Sequence, residues 1–324
     1  MRKKIPISQG EIVVFTGSRS EFGLLEPIIK EIEPTVLVSG SHLSSRFGFT
    51  YKQIEEKYQT YPVEILMDSD SVMGTCKSMG LGLISLSDAL VELNPSIVVI
   101  LGDRYESLAC ALSAFNLDIP IAHIEGSDVT LGSKDNGYRK CIDALATLRF
   151  PVEEYGSLGC VFPELPPPLY PVSALVVYHP YQGDYQKEFC ALMGLMERHV
   201  DAFFISPNAD AGGRWIMDGI ENSVLNSFKN LKRVEYLALL KQAEFIIGNS
   251  SSGIIEAPSL GTPTVNIGDR QKGRIRASSV IDCEGAAEEI KEAINKVKSI
   301  TFPVDNPYAK PDTVRRIAEE IKKF

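Results

Sequence analysis

Residues 245–276 read FIIGNSSSGIIEAPSLGTPTVNIGDRQKGRIR, and the way this stretch divides decides the fold. Phe245, Ile246 and Ile247 form a short apolar run of the kind that is buried on both faces of a parallel sheet. Gly248-Asn249-Ser250-Ser251-Ser252-Gly253 follows as a turn that opens a helix, and a second strand over 263–267 comes after the break at Gly261. Small residues let a backbone approach a ligand closely, and a helix beginning there aims free N–H groups at an anion. Three serine hydroxyls add donors, and Arg270, Lys272, Arg274 and Arg276 add positive charge. The ligand that fits this combination is a phosphate or diphosphate carrying a larger group.

The same unit, an apolar strand ending in a polar turn, recurs outward from this stretch. Strands are predicted over 11–16, 35–38, 63–66, 96–101 and 119–124, with helical patterns at 24–32, 51–57, 79–92, 107–116 and 140–148. A proline-rich connector over 150–170 interrupts the alternation. It then resumes with strands at 174–178 and 202–206 and helices near 187–199, 215–223, 234–242, 288–298 and 312–323. Strands alternating with helices predict an α/β protein with doubly wound parallel sheets. The expected domains are 1–165, 166–305 and a C-terminal helix, 306–324, crossing back to the first domain. Arg19, His42, Asp103 and Glu125 each follow a strand directly, so they are expected to share one wall of a cleft at the strands' carboxyl ends.

Composition narrows the partners. The chain has 324 residues and a formal charge of −9, which disfavours nucleic acid or an anionic membrane as a partner. An anion site here must be a local basic pocket. The longest apolar stretches are strand-length, so no membrane span is predicted, and the N-terminus lacks a signal-peptide pattern. Six cysteines without CxxC pairing suggest reduced thiols and a cytoplasmic location. No His/Cys spacing suggests a zinc site.

Several motifs in order resemble one family. They are FTGSRSEFG (15–23), GSHLSSRFGFT (40–50), LGDRYESLA (101–109), HIEGSDVT (123–130), YHP (178–180), PNADAGG (207–213) and GNSSSGIIEAPSLGTPTVNIGDRQKGR (248–274). Together they resemble the hydrolysing UDP-N-acetylglucosamine 2-epimerases of sialic-acid and legionaminic-acid synthesis. The resemblance implies two Rossmann-like domains facing a cleft, the glycosyltransferase-B architecture. It also implies conversion of UDP-N-acetylglucosamine or UDP-N,N'-diacetylbacillosamine to UDP and the free 2-epimer. The family's acid/base groups fall on Asp103, Glu125, Asp135 and His179. Its UDP-binding positions fall on Arg19 (diphosphate), Asn208, Ser250 and Ser251 (phosphate oxygens), Glu256 (ribose hydroxyls) and Arg270. No cofactor or metal is implied; the expected partners are a UDP-sugar and further copies of the chain, as a homodimer or homotetramer.

The sequence departs from the family pattern at Asn136 and Lys140, where Asp and His are usual, and at Ser127, where Gly is usual. The connector after Phe150 is also shorter than in the family. Taken residue by residue, plainer roles stay open. Asp103 could cap the next helix, Asp135 could serve a turn in a flexible run 132–137, and the serines could be ordinary helix caps. Arg274 could pair with a surface carboxylate, and His42 matches a motif without a role. Two other functions also stay open: a glycosyltransferase of the same architecture, and a UDP-sugar binder without turnover.

Overall fold

The computed structural model describes residues 10–67, 69–168, 170–197, 201–207, 210–228 and 231–324. Two six-stranded sheets account for its strands. The first comprises β1 (Ile12–Thr16), β2 (Thr35–Ser39), β3 (Thr60–Val63), β4 (Ile97–Leu101), β5 (Ile121–Ile124) and β6 (Leu148–Phe150), in the order β3-β2-β1-β4-β5-β6. The second comprises β7 (Ala174–Val177), β8 (Ala202–Ile205), β9 (Asn226–Phe228), β10 (Phe245–Gly248), β11 (Thr264–Ile267) and β12 (Val280–Cys283), in the order β12-β11-β10-β7-β8-β9. All pairings are parallel. Each order reverses once, between β1 and β4 in the first sheet and between β10 and β7 in the second. Such reversal points open the crevice in which α/β proteins bind ligands.

The central strands are β-branched and buried throughout because helices cover both faces. In the first sheet Val13, Phe15, Val98 and Ile100 pack with Leu86, Leu90, Leu108 and Ala111 of helices Val72–Leu93 and Tyr105–Asn116. In the second, Val176, Phe204, Ile247 and Val265 pack with Phe189, Leu192, Ile290 and Ile294 of helices Tyr185–Met196 and Ala287–Val297. Each such side chain contributes about 1.5–3 kcal/mol relative to exposure, so dozens of them hold the sheets flat against their helices.

Three strands escaped the sequence pattern. β6 falls where a helix was expected to continue to 148; the helix instead spans Asp135–Leu145. β9, Asn226-Ser227-Phe228, is polar and largely exposed, and β12 is an edge strand carrying Asp282. The short connector leaves the second sheet with six strands.

The chain divides into two compact units. One unit contains Met1–Ser127, Gly137–Tyr155 and Asp312–Phe324; the other contains Asp128–Asn136 and Gly156–Pro311. The passage out of the first unit lies at 155/156 and the return at 311/312. A strap, Asp128–Asn136, leaves the first unit in the middle of its sequence and belongs to the second. Asp135 is counted with the second unit, and it opens helix Asp135–Leu145, whose remainder belongs to the first. Helix Thr313–Ile321 packs within the first unit: Lys322 Nζ meets Glu31 Oε1 at 2.9 Å and Thr313 Oγ1 donates to the Tyr155 carbonyl at 2.7 Å.

Candidate functional site

In the first unit the polar turns follow β1, β4 and β5, which are neighbours in the sheet. β1 ends at Thr16, and Ser18 caps helix Arg19–Ile32 by accepting from the Glu21 N–H at 3.5 Å. Arg19 is the first residue of that helix, and burial holds its pKa below the ordinary value. An anionic ligand would offset that desolvation. The turn is braced from beneath. Glu21 accepts the Gly17 N–H at 2.9 Å, and Arg104 donates Nε and Nη2 to Glu106, both at 3.2 Å.

His42 is a strut of this turn. Its Nδ1 lies 2.7 Å from Thr50 Oγ1 and its Nε2 3.1 Å from Thr16 Oγ1, while Thr16 Oγ1 donates to the Ser18 carbonyl at 3.3 Å. A neutral ring donating from Nε2 and accepting at Nδ1 satisfies all three. Burial drives its pKa down to about 4. The unfolded chain binds this proton near pH 6.5 and the folded chain only near 4, so the contribution to stability is full above about pH 6.5. It is lost progressively as pH falls toward 4. Proton NMR should therefore show the His42 C2–H resonance unchanged from pH 8 to 5.5; a midpoint near 6.5 would refute the assignment.

Asp103 follows β4 and Gly102. The helix that comes next, Tyr105–Asn116, is flanked by Arg104, so Asp103 does not cap it. Its Oδ2 is instead bonded to the guanidinium of Arg139, which is buried on helix Asp135–Leu145. One strand over, Glu125 is buried and takes a left-handed backbone with φ 64°, its N–H donating to the Phe150 carbonyl at 3.0 Å. A residue other than glycine costs about 1–3 kcal/mol in such a conformation, and strain of this kind collects at functional sites. His123 ties the two turns together. Its Nε2 donates to the Gly102 carbonyl at 2.8 Å and its Nδ1 faces Asp143 Oδ1 at 3.4 Å. The His123 ring facing it holds the Asp143 carboxyl below its ordinary pKa.

In the second unit the corresponding ends are those of β7, β10 and β11, again neighbours. β10 closes on Gly248, φ 139°, where a Cβ would collide with the Val177 carbonyl, so only glycine fits. Asn249 is fully buried: its Oδ1 accepts from the His179 N–H at 2.7 Å and its Nδ2 donates to the His179 carbonyl at 2.8 Å. Its own carbonyl accepts from Arg270 Nη1 at 3.0 Å and Gln271 Nε2 at 2.9 Å. One side chain and one peptide group thus fix the ends of three strands, placing His179 and Arg270.

Ser250 caps the short helix Ser251–Ile255, accepting the Ser252 N–H at 3.3 Å, and Ser251 is its first residue. The Ser252 hydroxyl is bonded to the Tyr236 hydroxyl. Glu256 is buried at the end of this helix, and its Oε1 accepts from Arg233 Nη1 at 2.8 Å, while Arg233 Nη2 donates to the Gly159 carbonyl at 2.9 Å. On the strap, Asp135 opens helix Asp135–Leu145, correcting the expected flexible run, and its Oδ2 accepts from Ser133 Oγ at 2.9 Å. Asn136, the departure from the family pattern, closes the strap on itself, its Oδ1 accepting from the Thr130 N–H at 3.1 Å. Asn208 lies outside the described residues.

The structure therefore gathers Arg19, Asp103 and Glu125 at three adjacent strand ends of one unit. It gathers His179, Ser250, Ser251 and Arg270 at three adjacent strand ends of the other. Arg139, His123, Asn249, Gln271 and Arg233 support them and were not singled out from sequence. Asn249 and Gln271 did lie inside the stretch quoted first, Asn249 directly after a strand and Gln271 in the loop after the next; the arginines carried no local signal.

Two Rossmann-like units with a cation, carboxylates and serine hydroxyls at their strand ends define a protein of the glycosyltransferase-B class. The family described as UDP-N-acetylglucosamine 2-epimerase matches residues 29–156 and 171–322, and the chain belongs to that family. The interval between the two matches is the short connector. The chain is 33% identical to the GDP/UDP-N,N'-diacetylbacillosamine 2-epimerase (hydrolyzing) of Campylobacter jejuni, over 91% of this chain and 89% of that protein. It is 29% identical to polysialic acid biosynthesis protein P7 of Escherichia coli, over 97% and 94% of the two chains. Its fold resembles the crystal structure of Methanocaldococcus jannaschii UDP-GlcNAc 2-epimerase in complex with UDP-GlcNAc and UDP, with a TM-score of 0.75, 18% identity and coverage of 97% and 99%.

Proposed function

We propose that this protein is a hydrolysing UDP-sugar 2-epimerase that releases UDP and the free 2-epimer of an N-acetylated sugar, UDP-N-acetylglucosamine or UDP-N,N'-diacetylbacillosamine. The observation that carries this reading is the pair of carboxylates, Asp103 and strained Glu125, at the ends of adjacent strands in a chain of this family. The reaction is an elimination followed by a hydration. A base takes the proton from C2 as the C1–O bond to the diphosphate breaks, leaving a C1–C2 double bond. Water then adds its oxygen to C1, and an acid returns a proton to C2 from the opposite face. Asp103, Glu125, Asp135 and His179 supply these acid and base groups, and none of the steps needs a redox cofactor or a metal. Arg19, Arg270, Ser250 and Ser251 receive the departing diphosphate, Glu256 the ribose hydroxyls, and Asn208 a further contact to the nucleotide. Arg139 orients the Asp103 carboxylate through its buried guanidinium.

The test is product analysis in deuterated water with both UDP-sugars. Deuterium at C2 of the free sugar is expected, without NAD and without an acceptor. Unlabelled product rules out the mechanism, and UDP release that requires an added acceptor points to a glycosyltransferase.

The same proposal covers assembly and location. Helix Val72–Leu93 exposes Val72, Met73, Leu81, Leu83, Ile84 and Val91, an apolar run long for a surface helix. A second copy covers it, giving the homodimer or the core of a homotetramer. Ile84→Glu should halve the mass seen by sedimentation at low micromolar concentration; a monomeric parent would sink this part. The six free thiols accord with a cytoplasmic site of action. Among the described residues no helix is long and apolar enough to cross a membrane.

A further inference from the structure

The strap Asp128–Asn136 is held to the second unit more firmly than its length requires. Asp128 Oδ2 lies 2.9 Å from Arg274 Nη1, and both side chains are less than a tenth exposed. Asp128 Oδ1 accepts from the Val129 N–H at 3.0 Å and from the Tyr308 hydroxyl at 3.4 Å. Further along, the Leu131 N–H donates to the Lys272 carbonyl at 2.8 Å. Gly132 lies so close to the Asp269 carbonyl that a Cβ would overlap it, and Gly273, φ +96°, presses on Val129. The remainder of the strap is folded on itself. Ser133 N–H donates to the Thr130 carbonyl at 3.0 Å, Asn136 N–H to the Ser133 carbonyl at 3.2 Å, and Ser133 Oγ to Asp135. The ion pair with Arg274 anchors one end of the strap, and Asp135 lies in the self-bonded part at the other end.

The loop that receives the strap, 269–274, also carries Arg270, whose guanidinium is fixed on the Asn249 carbonyl. The loop that carries Arg270 therefore also receives the strap that carries Asp135. A buried ion pair is a weak source of net stability, because desolvation cancels much of the attraction, but breaking it by removing one partner is costly. Such a pair is best understood through the position it specifies.

We infer that Arg274 is a positioning residue: through Asp128 it seats the strap on the nucleotide loop, so that the placement of Asp135 depends on the loop that holds Arg270. This rests on the roles proposed above for Asp135 and Arg270, but the tether can be read without turnover. UDP bound at Arg270 stiffens loop 269–274, and the strap follows.

Three variants, Arg274→Met, Arg274→Lys and Asp128→Asn, with the double variant Asp128→Asn/Arg274→Met, test this. Amide hydrogen exchange across 129–136 is read with and without UDP, alongside UDP affinity by calorimetry and steady-state kinetics. In the parent, UDP should slow exchange in the strap by about tenfold or more. Arg274→Met should abolish that protection while UDP affinity stays within about threefold, with kcat lower by roughly 30-fold and KM little changed. The double variant should be no worse than Arg274→Met, since the two residues act as one unit, and Arg274→Lys should recover part of the loss. Equal losses of UDP affinity and kcat in Arg274→Met would make Arg274 a nucleotide ligand and overturn the inference. So would strap exchange and kcat like the parent's. If Asp128→Asn does not fold, the two Arg274 variants decide. A parent without turnover on any UDP-sugar refutes the epimerase reading alone, and the exchange measurements still judge the tether.

Discussion

Asp103→Asn is expected to lower kcat for UDP release by about 10³-fold, within the range found when a positioned general acid or base is lost. The substitution preserves shape, and the amide oxygen can still accept from Arg139, so the turn after β4 should keep its geometry. What it removes is the ability to exchange a proton near neutrality. UDP affinity measured by calorimetry should stay within about threefold of the parent, because Asp103 is assigned to the sugar's C2 chemistry and not to the diphosphate. A loss of kcat under about tenfold would remove Asp103 from the acid/base set. Arg139→Ala makes a useful contrast. It strips Asp103 of its partner and empties a buried site, so it should lower stability as well as kcat.

Asn249→Ala should have the largest effect on stability. It deletes both side-chain bonds to His179 and leaves the His179 N–H and carbonyl buried without those partners. At about 1–3 kcal/mol for each of the two unsatisfied groups, the cost is roughly 2–6 kcal/mol. For a unit of this size the melting temperature should fall by about 5–15 °C. UDP affinity should fall as well, because the Asn249 carbonyl that fixes Arg270 moves with the peptide. Thermal unfolding followed by circular dichroism, with and without UDP, reads both effects. A drop below about 2 °C would show that water replaces the lost bonds and that Asn249 does not brace the site.

Much of this was legible before any coordinates. Apolar runs ending in Gly-Ser-Arg, Gly-Asp-Arg and Gly-Asn-Ser mark strand ends because burial on both faces and turn chemistry are local properties. Glu125 stood out because a carboxylate at the end of an apolar strand needs a cleft or a partner, whereas Asp103 could equally have capped the next helix and was marked by the family resemblance. The short strands were harder. β9 has the composition of a loop, and its pairing with β8 is made by backbone groups that carry no sequence signal. β6 was hidden because three residues are too few to show a period. His42 could be placed in a motif but not given a role, since its neutral, buried state depends on Thr16 and Thr50 meeting it from two other segments.

By itself the sequence determined the two rounds of strand–helix alternation, the family, and the residue types waiting at the strand ends. The alternation and the strand-end residues follow from composition and periodicity over a few turns of chain, and the family from the resemblance of its ordered motifs. Only the tertiary structure decided that the strap ending in Asp135 and Asn136 belongs to the second unit, that Arg139 holds Asp103, that Asn249 joins three strand ends, and that Arg274 reaches Asp128. Each of these pairings spans many residues of sequence. Each is set by the order of strands in a sheet and by which polar groups, once buried together, have no water left to choose instead.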